Sequence, residues 1–315
     1  MADNNVTKIS DVIVPEVFTP YMIQKSIEKN AFIQSGICVS DPTIVIGRGG
    51  KTVQVPHWKN LSGEAEVLSD SADLTVNKVN TFDDIAAVHA RGVAYGFNGL
   101  ASLLAGDDPA GVIAAKFADK WNSEIEKMLI NTLSGIFGVT AMADSVKDNS
   151  TGNISANVMT DAMFLLGDSF QNITAIAMHS AVLAALQKLD LLDKNVMPST
   201  ATLPLPSYMG KRIIVDDALV GTEGIYPVYF FGAGAFVFNE NPTFATIKTD
   251  EDILADNTYI ASRRSFILHP RGVAWTGTAA GATPSNTELA TAGNWTLVDD
   301  RKNVAVSKLL TKVTV

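Results

Sequence analysis

Residues 107–138 read DDPAGVIAAKFADKWNSEIEKMLINTLSGIFG, and this stretch predicts one long amphipathic helix. Asp108 is suited to cap the helix, Pro109 to occupy its first position and Gly138 to end it. At about 1.5 Å per residue, a helix over residues 109–137 is roughly 43 Å long. Spacings of three and four residues define a mostly apolar stripe, which is typical of a helix that lines a core. The stripe comprises Ile113, Phe117, Trp121, Ile125, Met128, Thr132 and Ile136.

The segment before this helix, residues 47–97, has the pattern of extended chain. Residues 52–56 alternate between polar and apolar side chains, and the proline in this run indicates an edge strand or an exposed ribbon. Residues 59–73 are polar and acidic, a return strand is predicted from Leu74, and a longer extended run passes through residues 85–88. We therefore predict two strands joined by a long solvated tip. Because an isolated ribbon of this kind is marginally stable in water, we expect another chain to supply a partner surface.

The rest of the chain mixes helical and extended patterns, which indicates an α/β region. Near the amino terminus, residues 11–15 are extended, and a short helix begins after Thr19 and ends before Gly36. Ser180 is suited to cap a helix that ends near Asp190, and residues 277–291 are predicted to form a surface loop. Further predicted elements are an amphipathic stretch at 158–170 and strands at 173–178, 212–216, 228–238, 258–260, 266–268 and 304–306.

Composition narrows the class of protein. Of the 315 residues, 47% are hydrophobic and 18% are charged, and the charged fraction is below the roughly 25% of soluble globular proteins. This composition excludes intrinsic disorder, which requires low hydrophobicity and high net charge. The net charge of -9 disfavours tight binding of nucleic acid by the general surface. The single cysteine, Cys38, excludes an intramolecular disulfide and fits a reducing compartment. The start is unlike a secretory signal, and no apolar run is long enough to span a bilayer, so we expect a soluble cytoplasmic product without membrane association.

Two short motifs resemble known catalytic or nucleotide-binding sequences, but the residues around each motif do not match the known pattern. Gly-Lys-Thr at 50–52 imitates the end of a phosphate-binding loop, but Val45 stands where its first glycine belongs, and a strand pattern follows where a helix should. Ser169, in Leu-Gly-Asp-Ser-Phe, resembles the nucleophile block of one esterase family. That family places its histidine three residues after an aspartate, and none of the four histidines here has an aspartate at that distance.

The titratable residues form no complete constellation for catalysis or metal binding. His57, His89, His179 and His269 are scattered, and no two of them have the spacing of metal ligands. Helix caps and solvated turns explain most of the acidic doublets at 83–84, 107–108, 216–217 and 299–300. We therefore predict no catalytic residue, no cofactor and no metal site.

The order of these parts resembles the major capsid proteins of tailed bacteriophages, and the resemblance implies the α+β fold that they share, the Hong-Kong-97-type fold. Those parts are an amino-terminal arm, an extended ribbon, one long helix, a mixed region and a strand-rich end. Local phrases also resemble this family over nearly the whole chain, and Trp121 and Glu124 within the helix add to them. The phrases are IVPEVF at 13–18, RGVAY at 91–95, FILHP at 266–270, GVAW at 272–275, NWT at 294–296 and DRKN at 300–303.

The resemblance implies five regions along the chain. They are an arm with a short helix at 1–46, an extended loop with adjoining strands at 47–97, the spine helix of a peripheral domain at 98–152, an axial domain at 153–239, and return strands of the peripheral domain with the carboxyl terminus at 240–315. The extended loop would reach over a neighbouring subunit, and the axial domain would surround the capsomer centre. No charged helical scaffolding segment precedes Asp11, so a separate scaffolding protein is expected.

Cross-linking of subunits is a further property of some members of that family. Lys51, Lys59 and Lys78 lie on the predicted loop and are candidates for isopeptide bonds. The sequence shows no matching acceptor and no matching catalytic glutamate, so we do not expect such a bond.

The function that the resemblance implies is that of a structural coat protein and not an enzyme. Its copies would assemble through hexamers and pentamers into the icosahedral head that encloses the double-stranded DNA of a tailed phage, without sequence-specific DNA binding. Portal and decoration proteins would be further partners, and assembly in the host cytoplasm would place the protein in the virion. Two alternatives stay open: an encapsulin-like nanocompartment shell, and a serine hydrolase that uses Ser169.

Three segments contain almost no charged residues: 151–187, 218–247 and 272–298. Depletion of charge marks the cores of interfaces as well as protein interiors. We therefore predict that other copies of the chain cover much of the surface of these segments.

Overall fold

The computed structural model describes residues 31–44, 46–47, 50–58, 64–68, 73–78, 81–98, 109–193, 206–241, 244, 246–252, 254 and 256–313. Their helices are α1 (Ala31–Gln34), α2 (Pro109–Ile136), α3 (Ala156–Phe164), α4 (Ser180–Lys188) and α5 (Asn286–Leu289). Their strands are β1 (Cys38–Val39), β2 (Thr52–Trp58), β3 (Thr81–Asn98), β4 (Val146–Asn153), β5 (Ile173–Met178), β6 (Ser207–Tyr208), β7 (Lys211–Val215), β8 (Ile225–Gly232), β9 (Phe236–Glu240), β10 (Thr246–Asp252), β11 (Asn257–Pro270), β12 (Val273–Trp275), β13 (Trp295–Leu297) and β14 (Val306–Lys312).

Among the described residues, the strands form two six-stranded sheets and one two-stranded sheet. In the first sheet the order is β1-β9-β11-β3-β2, and β10 pairs with the amino-terminal half of β11. The strand β3 pairs with β11 over residues 88–98 and then with β2 over residues 81–87. We call residues 52–58 and 81–87, with the tip residues 64–68 and 73–78, the ribbon. Since β2 ends the strand order, the sheet edge predicted from the proline in this strand is confirmed.

The second sheet has the order β4-β14-β8-β5-β7-β6. Its strand β5 is buried on both faces, which is why its sequence is an apolar run without polar alternation. Ile176 and Met178 enter a core with α3 and α4, while Ala175 and Ala177 face the core that contains α2. The strand predicted at 173–178 is therefore confirmed.

Residues 228–238 form two strands in different sheets, so the prediction of a single strand there is wrong. The strand β8 belongs to the second sheet and β9 to the first. The chain turns between them at residues 233–235, where Gly234 adopts a φ of 65° and donates its N–H to the Gly36 carbonyl oxygen at 3.0 Å. Glycine enters this left-handed conformation without a steric cost. The change between sheets thus falls at 233–235, while the predicted domain division at 239 stays a prediction.

The long helix predicted from the sequence is confirmed as α2, which we call the spine helix. It ends at Ile136, one residue earlier than predicted. The predicted stripe is buried from Phe117 to Ile136, and the side chain of Ile113 lies outside the described residues. Leu129 and Leu133 are buried too, and they widen the stripe. The spine helix packs in a core to which both large sheets contribute, as a stripe of this width allows.

Several local predictions are wrong or incomplete. Residues 73–78 contain no strand, and the described pairing of this segment with β2 begins at Thr81. All six side chains at 73–78 are exposed, so they bury no apolar surface that would stabilise a strand ladder. The predicted loop at 277–291 contains α5, whose capping box joins Ser285 and Glu288. The side chain of His179, and not Ser180, caps α4 by accepting a hydrogen bond from the Ala181 N–H.

Other strand boundaries also differ from the sequence-based prediction. The strand predicted at 304–306 begins at Val306, and the two short strands predicted at 258–260 and 266–268 are one strand, β11. The strands β4 and β10 were not predicted, because their sequences, VKDNSTGN and TIKTDED, lack a clear apolar alternation.

Predictions near the amino terminus are tested only in part. Residues 11–15 and Thr19 lie outside the described residues. The predicted end of the first helix is confirmed, because α1 is followed by Gly36 with a φ of 78°. No helix in the described part of the chain is both long enough and apolar enough to cross a membrane.

Candidate functional site

The tip of the ribbon exposes large apolar side chains to solvent. Val67, Leu68 and Val76 are 95%, 81% and 96% exposed, and Leu74 is also exposed. The Thr75 N–H donates to Glu66 Oε2 at 3.1 Å and joins the two sides of the tip. Hydrogen bonds from Thr75 also lower the pKa of Glu66, which favours its charged form. A cluster of exposed aliphatic side chains on an extended element is typical of a contact site.

The charge-poor loop at 277–285 contacts the base of the ribbon, residues 51–52 and 84–91, which we call the root. Lys51 Nζ donates to the Gly281 carbonyl oxygen at 3.3 Å, and the Thr283 hydroxyl bonds to the main chain of Ala90. The Arg91 guanidinium donates to the Asn286 side-chain oxygen at 3.2 Å. The root of the ribbon is therefore anchored, whereas its tip is exposed.

A buried polar pair joins the ribbon to the end of β11. The carboxylate of Asp84, in the ribbon, accepts a hydrogen bond from His269 Nε2 at 2.7 Å, and both side chains are 1% exposed. Its second oxygen accepts the Gly272 N–H at 3.2 Å. The nearby His89 is fully buried against Phe266, and burial, with the charge of Arg91, lowers the pKa of His89 to about 3, so that its ring is neutral.

A second buried pair joins the first sheet to the spine helix. Arg264, which is fully buried, donates from Nε and Nη2 to the two carboxylate oxygens of Glu240 at 2.6 and 2.7 Å. The guanidinium carbon of Arg264 lies 5.3 Å from the centre of the Trp121 ring, in a cation–π arrangement. The indole N–H of Trp121 donates to Ser262 Oγ at 3.0 Å. These contacts fix the orientation of the spine helix on β11.

A carboxyl group on the spine helix faces the second sheet. Burial, and then the charge of Asp216, raise the pKa of Glu126 to about 7. One carboxylate oxygen of Asp216 accepts the Ala218 N–H at 2.8 Å, and the other is buried without a partner in the described part of the chain. Glu126 therefore changes charge near neutral pH.

We expect this group to make stability fall as the pH rises. The ordinary pKa of 4.5 applies to Glu126 in the unfolded chain, so the folded protein holds the proton more tightly between about pH 4.5 and about pH 7. The stabilisation by this proton is complete below about pH 4.5 and is lost as the pH rises to about 7. After allowance for partial exposure, we expect about 1 to 2 kcal/mol. Thermal melts at pH 5 to 8 of the natural protein and Glu126→Gln measure it. Melting curves that run parallel across this range would contradict the prediction.

The residues singled out by catalytic motifs do not come together. Ser169 lies in a 3-10 segment, Gly167–Asn172, and is half-buried. The rings of His179 and Tyr226 lie 4.7 Å apart, whereas His89 and His269 are in the first sheet. Thr52 of the Gly-Lys-Thr sequence begins β2 and not a helix, so a phosphate-binding loop is absent at this place.

Metal and thiol chemistry have no support in the described part of the chain. No group of three or more histidine, cysteine or acidic side chains lies close enough there to hold a metal ion. Burial raises the pKa of Cys38 to about 12, which makes its thiol unreactive. The absence of catalytic, cofactor and metal residues stays a prediction.

The buried pairs were not predicted from the sequence, although one signal was present. The interpretation of most acidic doublets as caps or turns holds for Asp216 and for Asp300, whose side chain caps the 3-10 helix Arg301–Asn303. Asp84 instead lies inside a strand, where a buried carboxylate needs hydrogen-bond donors. An acidic residue within the apolar run of β3 was the available clue.

Comparison with known proteins assigns the family. A sequence profile of the Gp13-like family, described as major capsid protein 13-like, matches residues 106–306. The chain belongs to this family. The major capsid protein of Bacillus phage SPP1 is 38% identical to this capsid protein in an alignment 314 residues long that covers 95% of this chain and 96% of the SPP1 protein. The chain is thus a phage major capsid protein, as its sequence phrases predicted.

Solved structures show the same fold. The capsid of Ralstonia phage GP4 superposes with a TM-score of 0.65 at 9% identity and covers 90% of this chain and 89% of that chain. The capsid of cyanophage Pam1 gives a TM-score of 0.53 at 12% identity, with 84% and 86% coverage. The prediction of an α+β fold of the Hong-Kong-97 type is confirmed. The role is that of a structural coat protein of the virion capsid and not of an enzyme, which the comparisons favour over the nanocompartment shell and the Ser169 hydrolase.

Proposed function

We propose that copies of this capsid protein assemble through hexamers and pentamers into the icosahedral head of a tailed phage. The observation that carries the proposal is the ribbon, whose root is anchored by buried hydrogen bonds and whose tip leaves Val67 and Val76 almost fully exposed. An aliphatic tip on a fixed root is suited to lie on another subunit. Burial of such side chains stabilises contact by about 1.5 kcal/mol or more for each one that is fully covered.

The charge of the chain supports a shell that encloses double-stranded DNA without reading its sequence. With a net charge of -9, the protein does not neutralise phosphates over its general surface. DNA packed inside such a shell is confined by the wall and is not bound to it. Purified particles that contain nuclease-protected DNA would agree with this content, and particles filled with enzyme cargo would contradict it.

The remaining partners and the domain division belong to the same proposal. We infer a separate scaffolding protein, a portal and decoration proteins as partners, and assembly in the host cytoplasm. In this proposal residues 153–239, which contain α3, α4, β5 and β8, form the axial domain, and the spine helix with the return strands of residues 240–315 forms the peripheral domain. Co-expression with a scaffolding protein tests the first partner by the yield of closed shells.

Charged residues at the ribbon tip are expected to abolish assembly and leave the subunit folded. The double variant Val67→Asp, Leu68→Asp places two carboxylates where the proposal requires apolar contact, and their desolvation opposes burial. The matched control is Val67→Ile, Leu68→Met, which keeps both positions apolar. Light scattering and negative-stain microscopy measure assembly, and circular dichroism with thermal melting checks the fold.

The control and the charged variant separate the possible results. We expect shells or capsomers from the natural protein and the apolar control, and only subunits from the charged variant at an unchanged melting temperature. Shells formed by the charged variant at the natural yield would refute a contact role for the tip.

A further inference from the structure

We propose that a buried chain of contacts couples the ribbon to the carboxyl-terminal end of the spine helix within one subunit. This series of contacts begins at Asp84, passes through His269 and Trp295, and ends at the main chain of Leu289. The Leu289 carbonyl oxygen lies against the spine helix at Gly135. The inference concerns the inside of a single subunit and holds whether or not the ribbon contacts a neighbour.

The first link ties the ribbon to the end of β11. Asp84 accepts hydrogen bonds from His269 and from the Gly272 N–H, so one of its oxygens is held by the end of β11 and the other by the turn between β11 and β12. Gly272 has a φ of 84°, and a Cβ there would lie 3.1 Å from atoms of Asp299 and Val304. A carboxylate that is buried in this way cannot leave its donors without losing charge-assisted hydrogen bonds.

The second link passes from the imidazole to an indole. The rings of His269 and Trp295 are nearly parallel, at 29°, with centroids 6.4 Å apart. Trp295 also meets Trp275 edge to face at 5.1 Å, and these two residues are directly opposite in the β12–β13 pair. Because close-packed interiors transmit displacements to their neighbours, we expect a shift of the His269 ring to move Trp295.

The third link reaches the spine helix. The Trp295 indole N–H donates to the Leu289 carbonyl oxygen, at the end of α5, at 2.8 Å. A Cβ on Gly135 would lie 2.1 Å from that oxygen and 2.6 Å from Trp295 Nε1, so the hydrogen bond lies directly against the spine helix backbone. A shift of Trp295 therefore breaks this bond or moves the helix.

Coupling of this kind is reciprocal, which makes it testable from both ends. If displacing the ribbon weakens the spine helix contact, then weakening that contact must loosen the ribbon by the same free energy. Spatial continuity alone does not establish such coupling, so the test must change one end and measure the other.

The experiment is hydrogen exchange measured by mass spectrometry on the natural full-length chain, two test variants and one control variant. Asp84→Asn perturbs the ribbon end, and Trp295→Phe removes only the indole donor at the spine end. The control is Asp148→Asn, because the Asp148 carboxylate is exposed and accepts from the main chain of Ser150 only two residues away. The helix α3, in the other core, serves as the internal reference for global stability.

We expect each variant to change exchange at the opposite end. In Asp84→Asn, we expect the amides of residues 130–136, at the end of the spine helix, to exchange about tenfold faster. In Trp295→Phe, we expect the amides of residues 81–88, in the ribbon, to exchange about tenfold faster. The exchange rates of α3 should be unchanged in both variants. Faster exchange confined to the altered element would overturn the inference. So would a uniform increase that includes α3, because it reports only lower overall stability. If Asp84→Asn does not fold, Trp295→Phe decides the question by the same criteria.

Discussion

Gly135→Ala is expected to destabilise the protein by about 3 kcal/mol, although the same change inside most helices is favourable by about 1 kcal/mol. The added methyl group would lie 2.1 Å from the Leu289 carbonyl oxygen, which is main chain and cannot rotate away. It would also displace the Trp295 indole from its hydrogen bond with that oxygen. The sign of the effect is therefore reversed by packing against α5.

Gly293→Ala is the matched control for this prediction. An added methyl group at Gly293 meets nothing within 4 Å, and this glycine is in the same segment of the chain as Trp295. We expect the control to stay within about 0.5 kcal/mol of the natural protein. Urea unfolding followed by tryptophan fluorescence measures both variants. A Gly135→Ala protein as stable as the control would show that α5 does not pack on the spine helix as described.

Glu240→Ala is expected to cost about 3 to 5 kcal/mol, the loss typical of breaking a buried ion pair by removing one partner. Arg264 is fully buried, and it would lose the carboxylate that accepts from its Nε and Nη2 atoms. The guanidinium also lies on the ring of Trp121, so the spine helix would lose part of its attachment to β11. Thermal melting and urea unfolding measure the loss.

Two further variants show whether burial is the cause. The double variant Glu240→Leu, Arg264→Met removes both charges and should recover much of the stability lost by Glu240→Ala, since an apolar pair needs no charge compensation. Asp161→Ala breaks the exposed pair of Lys147 and Asp161, 2.8 Å apart, and should cost less than about 1 kcal/mol. If Glu240→Ala costs no more than Asp161→Ala, the pair is not buried in solution.

The charge-poor segments show a property that the sequence alone does not decide, namely which part of their apolar surface is buried within the subunit. Much of their apolar content lies in the cores of the subunit itself, in β5, β8, β9 and the pair Trp275 and Trp295. Some of it is exposed, as at Phe164 and Val220, and these residues are where a contact with another copy stays a prediction. Composition reports that charge is absent, and it does not distinguish burial within one chain from burial between chains.

The sequence by itself determined the spine helix, the strand β5, the edge position of β2 and, through its ordered phrases, the capsid family. Each of these depends on local periodicity, on a residue with restricted backbone geometry, or on short segments that a resemblance can match. Only the tertiary structure decided that residues 228–238 divide between two sheets, that Asp84 is held by His269, and that Gly135 must have no side chain. Asp84 and His269 are 185 residues apart, and such pairs form only when packing removes them together from water.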